Sequence, residues 1–96
     1  MTPYAQAIRD RRLLSFSYDG LPRTVVPAVY GRTRRGARTL RAYQVDGASH
    51  SSPGERWRLF TVDKIASCVV LDEVFTEPPP GYRRPDSAFR LVVEQL

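Results

Sequence analysis

One cysteine, one histidine and a single lysine occur in 96 residues, and each scarcity removes a class of explanation. Cys68 has no partner within the chain, so no internal disulfide staples the fold, and in the run "ASCVVL" it reads as a small buried apolar residue rather than a nucleophile. Metal ligation needs clustered His, Cys or carboxylate side chains, and His50 and Cys68 lie in unrelated segments. There is no P-loop and no GxGxxG run, so the sequence calls for no metal, nucleotide cofactor or prosthetic group. Ser49-His50-Ser51 are adjacent in a polar loop and lack the rigid support of a nucleophile-base site. Asp72-Glu73 read as a charged strand end rather than an acid pair. Enzymatic activity is not expected. No apolar stretch approaches the roughly 18 residues of a membrane-spanning helix. The start, "MTPYAQAIRDRR", lacks the apolar centre of a signal peptide, and the expectation is a cytoplasmic protein without a membrane partner.

What remains is one small domain with a basic surplus. The length fits a single core, and the hydrophobic fraction of 42% is enough to fold it. All but one of the 15 Lys and Arg residues are arginine, and the net charge is +5. Guanidinium groups grip phosphate or carboxylate in two places and stack on rings, so polyanionic partners gain weight.

Thr2-Pro3 is a helix start, a capping hydroxyl followed by a residue whose missing N–H is harmless there, and a helix is expected to about Arg12. The period then changes to two in "LLSFSYDG", a half-buried strand. "DGLP" is turn chemistry, and "RTVVPAVYGR" is a second strand that Pro27 marks as an edge or as bulged. "RTLRAYQV" gives the third strand, "RWRLFTV" the fourth and "SCVVLDEVF" the fifth, with polar turns between. Strands at this spacing without intervening helices indicate a mainly β, small antiparallel barrel or sandwich. "TEPPPGYRRP" interrupts regular structure as a stiff arm, and "DSAFRLVVEQL" reads as a helix capped by Asp86 or Ser87, or as a sixth strand through Val92-Val93. The division is a barrel with its helix over 1–76 and an arm with a C-terminal segment over 77–96. Helix is the preferred state for the end.

Arginines fall in three groups: Arg32, Arg34 and Arg35; Arg38 and Arg41; Arg56 and Arg58. Tyr30, Tyr43 and Trp57 lie between them, and basic side chains interleaved with stacking rings suit single-stranded nucleic acid or a nucleotide. Arg38 and Arg41 are three apart, so they point to opposite faces of their strand unless a bulge intervenes. The candidate ligand-binding set is Arg38, Arg41, Arg56 and Arg58 on phosphates, with Tyr30 and Tyr43 stacking. The set requires guanidinium groups from neighbouring strands to converge on one hollow.

In order and spacing, "AIRDRRLLSFSYDG", "VVPAVYGR", "RTLRAYQV" and "RWRLFTVDKI" resemble the WYL domain of bacterial transcription regulators over roughly residues 5 to 75. The naming Trp-Tyr-Leu run falls on Arg38-Thr39-Leu40, where only Leu40 agrees, and Lys64 stands for the usual arginine of the last motif. The resemblance implies an Sm-like or SH3-like barrel of about five strands and a ligand-sensing role in transcription regulation. Arg58 is then expected to reach ligand, Asp63 to tether its turn, Lys64 to lie at the surface or on phosphate as a further ligand-binding residue, and Ile65 to enter the core. It also implies a stand-alone module working beside a partner transcription regulator. The alternative is a protein-interaction module in which the proline arm and "FRLVVEQL" dock on a second copy or on that regulator.

Overall fold

The computed structural model describes residues 1–47 and 56–96. A short helix, α1 (Pro3–Asp10), leads into six strands: β1 (Arg12–Tyr18), β2 (Leu21–Thr33), β3 (Arg38–Gly47), β4 (Trp57–Thr61), β5 (Ile65–Val74) and β6 (Phe89–Gln95). All are antiparallel in one sheet of order β4-β3-β2-β1-β5, with β6 paired to β2 off that path. The sheet rolls around a core, with β4 and β5 at the two ends of the path and a single 3-10 turn, Val62–Lys64, joining them.

The helix forms for the reason its first residues suggest. Thr2 Oγ1 accepts from the Ala5 N–H at 3.2 Å, and Arg11 closes the helix in the left-handed region at φ 54°. Its buried stripe, Tyr4, Ala5, Ala7 and Ile8, caps a cluster containing Leu14, Phe16, Val25, Leu40, Phe60 and Val62. Phe60 sits edge-on to Phe16 and Tyr18, with ring centroids 4.9 and 5.0 Å away. The β1–β2 turn is a two-residue hairpin: Tyr18 and Leu21 pair, and Asp19 and Gly20 both take positive φ.

β2 is the spine of the sheet. It pairs with β3 along its length, with β1 through Leu21 to Val25, and with β6 through Val29 to Thr33. Pro27 falls between the β1 and β6 stretches, at a register shift against β3. Of the two readings of this proline the bulge holds, and the strand is central rather than an edge.

The preferred helix at the C-terminus is a strand. The cap signal acts only locally: Asp86 Oδ1 accepts from the Ala88 N–H at 3.0 Å and Phe89 N–H donates to the Asp86 carbonyl at 3.2 Å, which makes one turn. The β-branched Val92-Val93 pair then extends along the second half of β2, whose backbone groups would otherwise lack a strand neighbour on that side. Residues 76–88 cross the outer face of the sheet, and a second, smaller cluster of Ala28, Val29 and Phe89, flanked by Trp57, Tyr82 and Leu96, forms beneath them.

Candidate functional site

Two faces of the β3–β4 pair decide what each arginine can do. Register sets Leu40 against Phe60, Ala42 against Arg58, Arg41 against Leu59 and Tyr43 against Trp57. Leu40, Ala42 and Phe60 belong to the core, so Arg58 shares the inner face, while Arg41, Tyr43, Trp57 and Leu59 share the outer one.

The expected convergence of Arg38, Arg41, Arg56 and Arg58 does not occur. Arg38 is exposed at one end of β3, where its Nη2 donates to Asp63 Oδ1 at 3.2 Å. Asp63 therefore tethers its turn as expected, Lys64 is exposed, and Ile65 packs against the core. Arg56 is exposed, and its Nη1 donates to the Gln44 carbonyl at 3.2 Å. Arg58 lies half-buried near Arg23, which is only 4% exposed. Arg23 donates to Gln44 Oε1 and to the Tyr18 carbonyl, each at 3.2 Å, and its guanidinium lies over the Tyr18 and Phe60 rings. Burial, followed by repulsion from Arg58, lowers its pKa.

Tyr30 is corrected as well. It is buried and stacked on Tyr4, with ring centroids 5.4 Å apart, and belongs to the core rather than to a ligand platform. Tyr43 is half-buried and meets Trp57 edge-on at 5.4 Å. Cys68 is half-buried against the core, where burial pushes its thiol up against the opposing hydrogen bond from Tyr4. Ser49, His50 and Ser51 lie outside the described residues.

A hollow lies on the outer face. A pocket of about 280 Å³ is lined by Arg41, Trp57, Gly81, Tyr82, Arg83, Pro85, Asp86 and Ser87. Its β-sheet wall is Arg41 and Trp57, and the rest comes from the segment crossing over them. Trp57 Nε1 donates to the Pro80 carbonyl at 2.8 Å. Pro80 and Gly81 then turn the chain, with Tyr82 N–H donating to the Pro79 carbonyl at 3.3 Å and Gly81 at φ 82°. Glycine suits this place, because its φ lies in the left-handed region and a Cβ would approach Trp57 Nε1 to 3.2 Å. The turn lays the Tyr82 ring beside Trp57, centroids 6.1 Å apart and planes 28° from parallel, and the Tyr82 hydroxyl donates to the Leu96 carbonyl at 3.0 Å.

Arg41 and Asp86 close the other side of the pocket. Arg41 Nε donates to Oδ2 at 2.7 Å and Nη2 to Oδ1 at 3.3 Å, a two-point pair with side chains 25% and 10% exposed. Only two of the guanidinium's five N–H donors go to Asp86. With Arg83, the lining carries two cations against one carboxylate. Of the candidate residues read from sequence, Arg41 alone lines this pocket, with Tyr43 supporting Trp57 from behind. Sequence reasoning misses Tyr82, Arg83 and Asp86 because they sit in an irregular segment, where no periodicity shows which side chains face the sheet.

No protein-family model, no curated protein and no solved structure matches this chain.

Proposed function

We propose that the protein is a non-catalytic ligand-binding module of the WYL kind that takes a ring-bearing anion, a nucleotide or the end of a single nucleic-acid strand, in the Trp57–Tyr82 pocket. One observation carries this reading: two aromatic rings and two guanidinium groups line the same hollow. A base needs an aromatic face and a phosphate needs a fixed cation, and this hollow offers both side by side. The order of strands and the 3-10 turn between β4 and β5 accord with the expected Sm-like or SH3-like barrel. A role beside a transcription regulator rests on the sequence resemblance.

Trp57 is the only tryptophan, so its fluorescence reports on the pocket directly. Titration with adenosine monophosphate should quench it saturably, more weakly at high salt, and Arg41→Ala or Tyr82→Ala should abolish the response. A flat signal up to millimolar nucleotide and with short single-stranded DNA would remove the reading.

The protein-interaction reading keeps one observation in its favour, the exposure of Leu91, Val92 and Val93 along β6. Sedimentation of the full chain tests it, and a monomer at high concentration would exclude the homodimer form.

A further inference from the structure

The arginines around the β2–β3 turn take no part in the pocket, and their placement has an energetic oddity. Arg32 and Arg38 are direct register partners across β2 and β3. Like charges directly opposite each other weaken an antiparallel pair. Among the described residues, the ion pairs bring one carboxylate to this place, Asp63 on Arg38. Between the two arginines the chain makes a tight turn, with Gly36 N–H donating to the Thr33 carbonyl at 2.9 Å and Thr33 N–H to the Ala37 carbonyl at 3.1 Å. Gly36 supplies the φ of 84° that this turn needs. Arg34 and Arg35 stand exposed at its tip, and Arg32 Nη1 braces it by donating to the Gly36 carbonyl at 2.7 Å. On the far side of β2, Arg90 falls between the pairs Arg32–Leu91 and Thr33–Phe89. The β2–β3 hairpin and the distant β6 thus gather Arg32, Arg34, Arg35, Arg38 and Arg90 at one end of the sheet, all of them exposed.

We propose that this end of the sheet is a second binding surface, distinct from the pocket, that docks the phosphodiester backbone of a nucleic acid. Each guanidinium fork matches a phosphate, and a bound polyanion would neutralise Arg32, Arg34, Arg35 and Arg90, which no ion pair among the described residues satisfies. The backbone that carries these cations is fixed by a hydrogen-bonded ladder and a braced turn, so their exposed side chains reach out from one place toward a repeating charge. A bilayer or an acidic protein would call for an apolar centre to insert or to bury. The tip, Thr33 to Arg38, contains no apolar side chain larger than Ala37, and an exposed apolar neighbour, Leu91 opposite Arg32, is what the vesicle comparison tests.

The test is fluorescence anisotropy of a short labelled single-stranded DNA against the full chain over a salt series. The Arg34→Ala/Arg35→Ala variant, Arg41→Ala, polyglutamate and phosphatidylserine vesicles serve as comparisons. The double variant changes only exposed turn residues, and circular dichroism checks its fold. It is expected to bind DNA several-fold more weakly, with a log-affinity against log-salt slope shallower by about 0.7 for each phosphate that the variant no longer neutralises. Its Trp57 response to mononucleotide should equal that of wild type, whereas Arg41→Ala should lose the mononucleotide response and still bind DNA through Arg34 and Arg35. Wild-type affinity and slope in the double variant would overturn the proposal. So would absence of DNA binding at low salt, or equal, Arg34/Arg35-dependent binding of vesicles or polyglutamate.

Discussion

Trp57 on β4 donates its indole N–H to the carbonyl of Pro80, a residue 23 positions later, at 2.8 Å. The bond fastens the segment that completes the pocket to the strand that begins it. Trp57→Phe keeps a ring beside Tyr43 and Tyr82 but removes the donor. The expected loss in global stability is small, about 0.5 to 1 kcal/mol for a solvent-accessible hydrogen bond. The larger effect is local: trypsin should cut after Arg83 faster than in wild type, while cleavage elsewhere in the chain is unchanged.

The Arg41–Asp86 pair makes the same segment sensitive to acid. Burial by itself raises the Asp86 carboxyl. The hydrogen bonds from Arg41 and the Ala88 N–H, together with the Arg41 charge, outweigh burial and leave it below its ordinary 3.8. A carboxyl depressed in the folded state gives its full stabilisation above the unfolded pKa and loses it as pH falls through the folded one. Asp86→Asn should therefore be less stable than wild type at neutral pH, by about 1 to 2 kcal/mol for a half-buried charged hydrogen bond. The gap should close on acidification through the carboxylate range. Urea midpoints of the two proteins at neutral and acid pH measure this directly, and a gap independent of pH would show that the carboxylate charge contributes nothing.

Tyr30 separates a core role from a ligand role. It stacks on Tyr4 beneath the helix, away from the outer face that carries the pocket. Tyr30→Phe keeps the ring and should leave nucleotide quenching of Trp57 unchanged. Tyr30→Ala opens a cavity in the main cluster and should cost about 3 to 5 kcal/mol, enough to threaten a domain of this size. Nucleotide binding lost in Tyr30→Phe while stability is retained would return this tyrosine to the ligand site.

Which residues are legible in the sequence follows from how local their causes are. The Thr2-Pro3 cap and the Asp19-Gly20 hairpin are each set by a few neighbouring residues and are readable, and the Pro27 bulge is one of the two readings its proline allows. The spacing of three that sends Arg38 and Arg41 to opposite faces is readable too, and by itself it argues against a single arginine cluster. Whether Tyr30 points inward depends on what α1 brings to it from across the fold, and alternation along β2 cannot say which face the helix covers. Asp86 reads as a helix cap because its local chemistry is that of a cap. Its larger role, pairing with Arg41, depends on a chain path through prolines that carries no period. The C-terminal segment misleads for a related reason: apolar runs of its length suit either state, and the unpaired second half of β2 decides between them.

Gly31 tests whether that edge of β2 holds the C-terminal strand in place. It lies opposite Val92, next to the register shift that follows Tyr30. A Cβ on Gly31 would collide with the carbonyl of Leu91 and press to 3.0 Å on the Cα of Val92. Both are backbone atoms, so no side-chain rotation relieves the clash, and the two strands must separate. Gly31→Ala should therefore detach β6, and with it the ties of Tyr82 to Leu96 and of Leu96 to Ala28. The expected signature is accelerated amide exchange across 89–96 and an open pocket whose Trp57 emission shifts to the red, with a stability loss of about 1 to 3 kcal/mol. Gly20→Asn is the matched control. Gly20 has positive φ but open space around its Cβ position, and asparagine tolerates that conformation, so its cost should be a few tenths of a kcal/mol. If Gly31→Ala proves as mild as the control, β6 is not packed against β2 at this distance and the pocket's far wall has some other support.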